Sequence, residues 1–203
     1  MLIGILKIGH GNIRSLINTL EKFGCDVELV SNTKEIEKVD KLILPGVGSF
    51  FSVMSELKNK KLVNPIQNHA KSKDILGICL GMQLMMQTGS EGGEISGLGL
   101  INGSVEMLPR ALGRLPHVGW NDICNLNENY LMKGVTNDSN VYFVHSYECI
   151  IDEPISIIHS NFYGKDFVAG FQKNNIFGTQ FHPEKSQNIG DLIIKNFLEH
   201  PHA

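Results

Sequence analysis

The sequence predicts an α/β fold with a central, mostly parallel sheet and helices on both of its faces. In the N-terminal half, short apolar runs alternate with stretches whose apolar residues recur at helical spacing, as in repeated strand–helix units. The strand candidates are apolar along most of their length, which is typical of strands covered on both faces. In the C-terminal half, short strand-like runs follow one another without helices and predict a small antiparallel addition.

The elements of the N-terminal half can be assigned one by one. Strands are predicted at "LIGILKI", "DVELV", "DKLILPG" and "DILGICL". Helices are predicted at "NIRSLINTLEKFG", "FFSVMSELKN", "LVNPIQNHAKS" and "GMQLMMQTG", and Gly89 is expected to end the last of them. Pro65 is a candidate break in the third helix, because proline removes a helical hydrogen bond. His69 lies in the same polar stretch and is expected to face solvent.

After Gly89 the sequence becomes rich in glycine and in short strand-like runs. These runs are "HVGWNDI", "NVYFVHSYECI", "SIIHSNFYG", "FVAGFQ" and "NIFGTQF". A last helix is predicted over "SQNIGDLIIKNFLEH", with Ser186 as its N-cap. No repeat or low-complexity linker divides the sequence, so we expect a single domain over residues 1–203.

Composition narrows the class of protein. The chain has 203 residues, 42% of them hydrophobic and 19% charged, which is an ordinary globular balance. A net charge of −3 gives no sign of a nucleic-acid or anionic-membrane binder. No apolar run is long enough to span a bilayer, and the N-terminus lacks the features of a signal peptide. The four cysteines form no C-x-x-C pair, so we expect free thiols in a reducing cytoplasm and no metal site.

One cysteine stands between two glycines where a predicted strand runs into a predicted helix. The segment "GICLG" places Gly77 and Gly81 around Cys79, which has the form of a nucleophile elbow. The glycines would remove side chains from a tight turn, and the turn would lift the sulfur to the carboxyl end of the sheet. The following helix would favour the thiolate. The alternative is a small buried cysteine between two packing glycines, and this motif alone does not decide.

A base for this cysteine is predicted in the segment "FHPEKS". Pro183 ends a strand and leaves His182 and Glu184 two residues apart, so that both side chains can point the same way from an extended segment. A carboxylate bound to one imidazole nitrogen fixes the tautomer, and the other nitrogen can then take a proton from a thiol. A surface glutamate beside a structural histidine is the alternative. The cysteine at the elbow favours the catalytic pair.

Three motifs together resemble those of class I glutamine amidotransferases. "GICLGMQLM" and "GTQFHPEKS" are similar to the nucleophile and base motifs of that family, and "LILPGVGSF" is similar to its oxyanion strand. The resemblance implies a flavodoxin-like three-layer fold, L-glutamine as the substrate, and no cofactor. It implies that Cys79 forms a γ-glutamyl thioester and releases ammonia, that His182 acts as general base and then general acid, and that Glu184 orients His182.

The same resemblance implies a set of residues around the substrate. The backbone amides of Val47 and Leu80 would form the oxyanion hole. The family's remaining glutamine-binding positions correspond to Gly46, Gly48, Gln83, Ser146 and Tyr147.

Finer motifs are similar to the family of glutaminase subunits of imidazole glycerol phosphate synthase. They are "PHVGWN", "VYFVHSY", "GHGNIRSL" and "FHPEKSQNIGDLIIKNFL". This resemblance implies a heterodimer with a TIM-barrel cyclase subunit, which receives the ammonia through a tunnel and uses it in histidine biosynthesis. Asn12, Trp120 and Lys185 match positions near the partner face in that family. Alternatively, they are a helix cap, a core side chain and a solvated lysine.

Three other functions remain open from the sequence. A paralogous glutaminase subunit would supply ammonia to a barrel that amidates a surface-polysaccharide sugar. A catalytically silent regulatory partner would need no triad, and the intact Cys79, His182 and Glu184 argue against it. A free-standing cysteine peptidase would need additional loops to form a substrate cleft.

Overall fold

The computed structural model describes residues 1–8, 13–124 and 129–201. Its helices are α1 Arg14–Lys22, α2 Thr33–Lys38, α3 Phe50–Asn59, α4 Val63–His69, α5 Leu80–Leu84 and α6 Gln187–Glu199. Its strands are β1 Leu2–Leu6, β2 Asp26–Val30, β3 Lys41–Leu44, β4 Ile75–Ile78, β5 Met86–Gly89, β6 Ile95–Ser96, β7 Ile101–Met107, β8 His117–Ile123, β9 Ser139–His145, β10 Tyr147–Ile151, β11 Ser156–Phe162, β12 Lys165–Lys173 and β13 Ile176–Thr179. Short 3-10 turns lie at Tyr130–Met132 and Pro183–Lys185.

The central sheet has seven strands in the order β11-β12-β13-β4-β3-β1-β2. From β2 to β13 neighbouring strands are parallel, and β12 and β11 continue the sheet antiparallel. Strands β3 and β4 are buried along their whole length, as their mainly apolar sequences predict, and the one charged residue, Lys41 at the start of β3, is paired with Asp74. The predicted mostly parallel sheet is therefore confirmed, and β4 lies near its centre.

Helices cover both faces of this sheet and complete three layers. Side chains of α1 and α6 pack on one face, together with the antiparallel pair β8 and β9. Side chains of α2, α3 and α4 pack on the other face, beside a second sheet of order β10-β7-β5-β6. The predicted antiparallel addition is thus formed by β8 with β9, β7 with β10, and β11 with β12.

The helix predicted at "GMQLMMQTG" is wrong in its second half. It ends at Leu84, and residues Met86–Gly89 form β5. The reason lies in distant backbone: the carbonyls that would continue the helix accept N–H groups from residues 98 to 101 instead. Leu98 donates to Leu84 at 2.8 Å, and Ile101 donates to Met85 at 3.0 Å. Tertiary pairing has outweighed a local helical pattern.

Three smaller expectations also change. Pro65 does not interrupt α4, because it lies in the first turn, where its missing N–H costs nothing. His69 is buried rather than solvated, and its Nε2 lies 3.3 Å from the Asp74 carbonyl oxygen. Ser186 occupies the N-cap position of α6 without capping it with its side chain. Its hydroxyl accepts the Tyr142 N–H and donates to the His182 carbonyl.

No helix among the described residues is both long enough and apolar enough to cross a membrane. Subcellular location, like the extent of the single domain, stays a prediction from the sequence.

Candidate active site

Cys79 sits at the carboxyl end of β4, in the one-residue turn before α5. Its backbone has φ 53° and ψ −110°, a left-handed conformation that is unfavourable for a residue with a side chain. The strain is held by a hydrogen bond from the Cys79 N–H to the Thr179 carbonyl of β13, at 2.7 Å. This turn fixes the direction of the sulfur. Because α5 spans only five residues, its dipole adds little to thiolate stability.

The two glycines of "GICLG" are required by space and not by their dihedral angles. A Cβ on Gly81 would lie 1.7 Å from the Leu44 carbonyl oxygen at the end of β3. A Cβ on Gly77 would lie 2.6 Å from the Gly81 carbonyl oxygen. The close approach brings the turn against the loop that follows β3, at Pro45–Gly48.

His182 follows β13, the strand next to β4, and its ring is hydrogen-bonded to Glu184. Nδ1 of His182 lies 2.8 Å from Oε1 of Glu184, and both side chains are nearly buried. The residues after His182 form a 3-10 turn at Pro183–Lys185 rather than the predicted extended segment. The turn brings the Glu184 carboxylate within hydrogen-bond distance of the His182 ring. The predicted contact therefore forms, but through a different local geometry.

The second imidazole nitrogen of His182 is available for proton transfer. Nε2 is buried and has no hydrogen-bond partner at standard distance within the described residues. Burial alone would lower the pKa of His182, but interactions with Cys79 and Glu184 outweigh it and raise the pKa to about 10. A raised pKa is the direction expected for an imidazole that faces both a cysteine and a carboxylate.

The sulfur also faces two polar groups from neighbouring elements. It lies 3.7 Å from the Val144 carbonyl oxygen and 3.7 Å from Nε2 of Gln180, which can donate to it. Gln180 is fully buried, and its Oε1 accepts Nε2 of Gln83 at 3.0 Å. Sequence analysis misses Gln180, although the residue lies inside the quoted segment "GTQFHPEKS".

A cavity of about 250 Å³ opens beside Cys79. The predicted residues Val47, Gly48, Leu80, Gln83, Ser146 and Tyr147 all line it. Gly46 lines a smaller cavity of about 40 Å³ behind the loop, next to His182 and Glu184. The larger cavity thus brings together the nucleophile and the predicted substrate contacts other than Gly46, and Val47 lines both this cavity and the smaller one that holds the base.

Gln83 can contact a ligand in only one way. Its Nε2 donates to the Tyr147 carbonyl at 3.2 Å and to Gln180, which uses both amide hydrogens. Its Oε1 is left to accept a hydrogen bond from a ligand.

Glu91 also lines the cavity and was not predicted. It lies in the glycine-rich segment after β5, where nothing local distinguishes it from a solvated glutamate. Its Oε2 accepts the Phe50 N–H at 2.9 Å, and burial raises the pKa of the carboxyl group. The side chain is therefore held at the start of α3, facing the cavity.

Two of the three predicted partner-facing residues lie in one surface cluster. Trp120 is 46% exposed, so the core alternative is wrong, and its ring meets Tyr142 edge to face at 6.0 Å. The ammonium group of the exposed Lys185 lies 5.5 Å from the centre of the Tyr142 ring. The third residue, Asn12, lies outside the described residues.

Comparison with known proteins assigns the class. The family model for class I glutamine amidotransferases matches residues 5–200, and the chain belongs to this family. Subunit HisH 1 of imidazole glycerol phosphate synthase from Campylobacter jejuni is 43% identical, over 97% of this chain and 98% of its own length. Subunit HisH from Moorella thermoacetica is 39% identical, over 97% and 94%. Within the class, the chain is a member of this HisH family.

Solved structures agree on the fold. PurLQS from Thermotoga maritima superimposes with a TM-score of 0.78 at 18% identity, covering 98% of both chains. A glutamine amidotransferase from the same organism gives 0.67 at 18% identity, covering 98% of this chain and 84% of its own. These similarities bear on the fold alone.

Proposed function

We propose that this chain hydrolyses L-glutamine to glutamate and ammonia through a thioester on Cys79, as the glutaminase subunit of an imidazole glycerol phosphate synthase. The observation that carries the proposal is the pairing of a strained elbow cysteine with an imidazole whose pKa is raised by that cysteine and by Glu184. Such a pair supplies both a nucleophile and a proton donor at neutral pH.

The chemistry balances within the site. The Cys79 thiolate adds to the carboxamide carbon, and the amides of Val47 and Leu80 receive the developing oxyanion. His182 gives its proton to the leaving nitrogen, and ammonia departs. His182 then takes a proton from water, and the hydroxide releases glutamate from the thioester. Glu184 accepts a hydrogen bond from Nδ1 of His182 and so holds the ring in one orientation.

The cavity also offers contacts for the α-ammonium and α-carboxylate groups of glutamine. The α-ammonium group would pair with Glu91 and hydrogen-bond to Oε1 of Gln83. Backbone N–H groups at Ser146 and Tyr147, which line the same cavity, would donate to the α-carboxylate. Gly48, which also lines this cavity, has a φ of +132°, a backbone conformation that favours glycine.

The ammonia would pass to a TIM-barrel cyclase subunit that docks on the cluster of Trp120, Tyr142 and Lys185. A half-exposed tryptophan beside an aromatic ring and a cation has the composition of an interface anchor. Membership in the HisH family supports this partner over the barrel that would amidate a sugar. Asn12 remains a candidate for the same face.

The test uses the chain copurified with its synthase partner. Cys79→Ala should lower glutamine-dependent synthesis by about 10³-fold or more, because the covalent step is lost. Added ammonium salt should still support synthesis. Cys25→Ala, which changes a thiol just before the edge strand β2, should leave both activities unchanged. Glutamine-dependent turnover by Cys79→Ala at the wild-type rate would exclude the proposed nucleophile.

A further inference from the structure

Two histidines outside the triad form a hydrogen-bonded chain that ends in the wall of the cavity. Nδ1 of His145 lies 2.8 Å from the Tyr147 carbonyl oxygen, and its Nε2 lies 3.1 Å from Nδ1 of His117. His117 and His145 face each other across the antiparallel pair of β8 and β9. His145 directly precedes Ser146 and Tyr147, the backbone expected to hold the substrate.

The geometry fixes the direction of every bond in the chain. A carbonyl oxygen can only accept, so Nδ1 of His145 carries the proton and its Nε2 accepts. His117 must therefore donate through Nδ1, which leaves its own Nε2 as an acceptor. Asn121 faces that nitrogen with Nδ2 at 3.4 Å, and the same amide group donates to the Asn161 carbonyl at 2.7 Å. The N–H groups of His117 and His145 therefore both donate in the direction of the Tyr147 carbonyl.

Both rings are neutral, but only His145 is fully buried, whereas His117 is partly exposed and lines a surface cavity. Burial lowers the pKa of His117, and burial lowers the pKa of His145 to about 3 despite the opposing Tyr147 bond. The His117 ring stacks on Phe143 at 5.1 Å, and the His145 ring contacts Phe167 at 5.0 Å. Because His145 is buried, loss of the His117 donor would leave the Nε2 of His145 without its partner among mainly aromatic neighbours.

The chain matters to the site because the Tyr147 carbonyl has a second donor. Nε2 of Gln83, on the helix that follows Cys79, reaches the same oxygen at 3.2 Å. The wall is therefore tied both to the nucleophile turn and to the two histidines. Ser146, between β9 and β10, belongs to neither strand, and its own carbonyl accepts the Leu108 N–H at 2.9 Å. The bonds to the Tyr147 carbonyl fix the next peptide, between Tyr147 and Glu148, and so hold the backbone directly after Ser146.

We infer that His117 and His145 are positioning residues for glutamine: they hold the Ser146–Tyr147 backbone in its ligand-binding geometry through one directed hydrogen-bond chain. The inference rests on the proposed function, because it assigns these residues to the glutamine pocket. Neither histidine contacts the reacting atoms. Their effect should therefore fall on substrate binding rather than on the chemical step.

The decisive variant is His117→Phe, measured in the complex with the synthase partner. Phenylalanine preserves the ring packing but cannot donate to His145. The KM for glutamine should rise about tenfold while kcat changes by less than about threefold, because a displaced wall weakens binding. His117→Asn retains a donor near the position of Nδ1 and should bring KM back to within about threefold of wild type.

A matched control separates positioning from general destabilisation. His69→Phe changes another buried histidine, whose hydrogen bond is to the Asp74 carbonyl at the opposite end of β4 from Cys79. It should leave KM unchanged even where it lowers the melting temperature. A wild-type KM in His117→Phe, an equal KM increase in His69→Phe, or a folded His117→Asn variant without rescue would each overturn the inference.

The two proposals fail in different ways. An active Cys79→Ala variant would refute the glutaminase chemistry whatever the histidine variants do. An inactive Cys79→Ala variant combined with a wild-type KM in His117→Phe would refute the positioning role alone.

Discussion

Replacing Gly81 by alanine tests whether the close contact between the nucleophile turn and β3 sets the site geometry. The new Cβ would lie 1.7 Å from the Leu44 carbonyl oxygen and 2.6 Å from the Leu44 carbonyl carbon. Carbon–oxygen contacts in proteins are about 3.3 Å or longer, so the two backbones must separate by about 1.5 Å. Both partners are backbone at the centre of the fold, and no side-chain rotation relieves the contact.

The size of the effect follows from that displacement. Overpacking of a buried site costs about 1–3 kcal/mol, and a backbone contact belongs at the upper end. In a chain of this length, a loss of about 3 kcal/mol lowers the melting temperature by about 6–12 °C. The loop after Leu44 carries Val47, so the oxyanion donor would also move relative to Cys79. A misplacement of about 1 Å lowers turnover by about 10²-fold.

Two measurements on Gly81→Ala test whether this contact sets the site geometry. They are thermal unfolding by circular dichroism and glutamine-dependent turnover with the synthase partner. The control is Gly24→Ala, where φ is +72° and the new Cβ meets open space. Strain there costs about 1–2 kcal/mol, and turnover should stay unchanged. If Gly81→Ala matched Gly24→Ala in both stability and turnover, the argument from close packing would be refuted.

The remaining predictions concern charged groups. His182→Asn should reduce glutamine-dependent turnover far more than Glu184→Gln, since Glu184 only orients the ring. Glu184→Gln should shift the alkaline limb of the pH–rate profile to lower pH, because the carboxylate helps raise the pKa of His182 to about 10. Glu91→Gln should raise the KM for glutamine about tenfold with little change in kcat, as a lost charge contact does. Lys41→Met should cost about 3–5 kcal/mol in urea unfolding by removing a buried cation, against at most about 1 kcal/mol for Lys38→Met at the surface.

Each of these has a clear contrary result. Equal losses of turnover in His182→Asn and Glu184→Gln would show that orienting the His182 ring matters as much as the ring itself. An alkaline limb of the pH–rate profile that does not move in Glu184→Gln would mean that Glu184 does not raise the pKa of His182. An unchanged KM for glutamine in Glu91→Gln would show that this carboxylate does not bind the substrate. Similar stabilities for the two lysine variants would mean that the buried pair is not a stabilising contact.

The pKa of His182 also gives the sign of a stability effect. The value in the folded protein, about 10, lies above the ordinary histidine value near 6.5. The interactions of His182 with Cys79 and Glu184 therefore stabilise the fold fully below about pH 6.5 and are lost as the pH rises through about 10. Unfolding measured between these limits should show stability decreasing with pH in the wild type, and a smaller decrease in Glu184→Gln.

Local sequence patterns predicted the parts of the site whose geometry is local. Glycines around a cysteine at a strand end indicate a tight turn, and a His-x-Glu segment places two side chains within reach, although it does so here through a 3-10 turn. The end of α5 could not be predicted, because its carbonyls are taken by residues 98 to 101. The weak helix formers Thr88 and Gly89 are the local sign of β5.

Residues that enter the site through tertiary packing escaped prediction for the same reason. Glu91 is fixed by the N–H of Phe50, 41 residues earlier in the chain, and Gln180 by its contact with Gln83. His117 and His145 are joined by strand pairing, and no spacing in the sequence shows that register. The glycine-rich segment that carries Glu91 has the composition of an ordinary surface loop.

The thioester itself is the most direct test of the central claim. The complex would be mixed with glutamine, quenched in acid during turnover, digested, and examined by mass spectrometry. We expect one glutamyl group on the peptide that contains Cys79, and none on peptides that contain Cys25, Cys124 or Cys149. A glutamyl group on another cysteine, or steady turnover in which Cys79 never carries one, would contradict the assignment of Cys79 as the nucleophile.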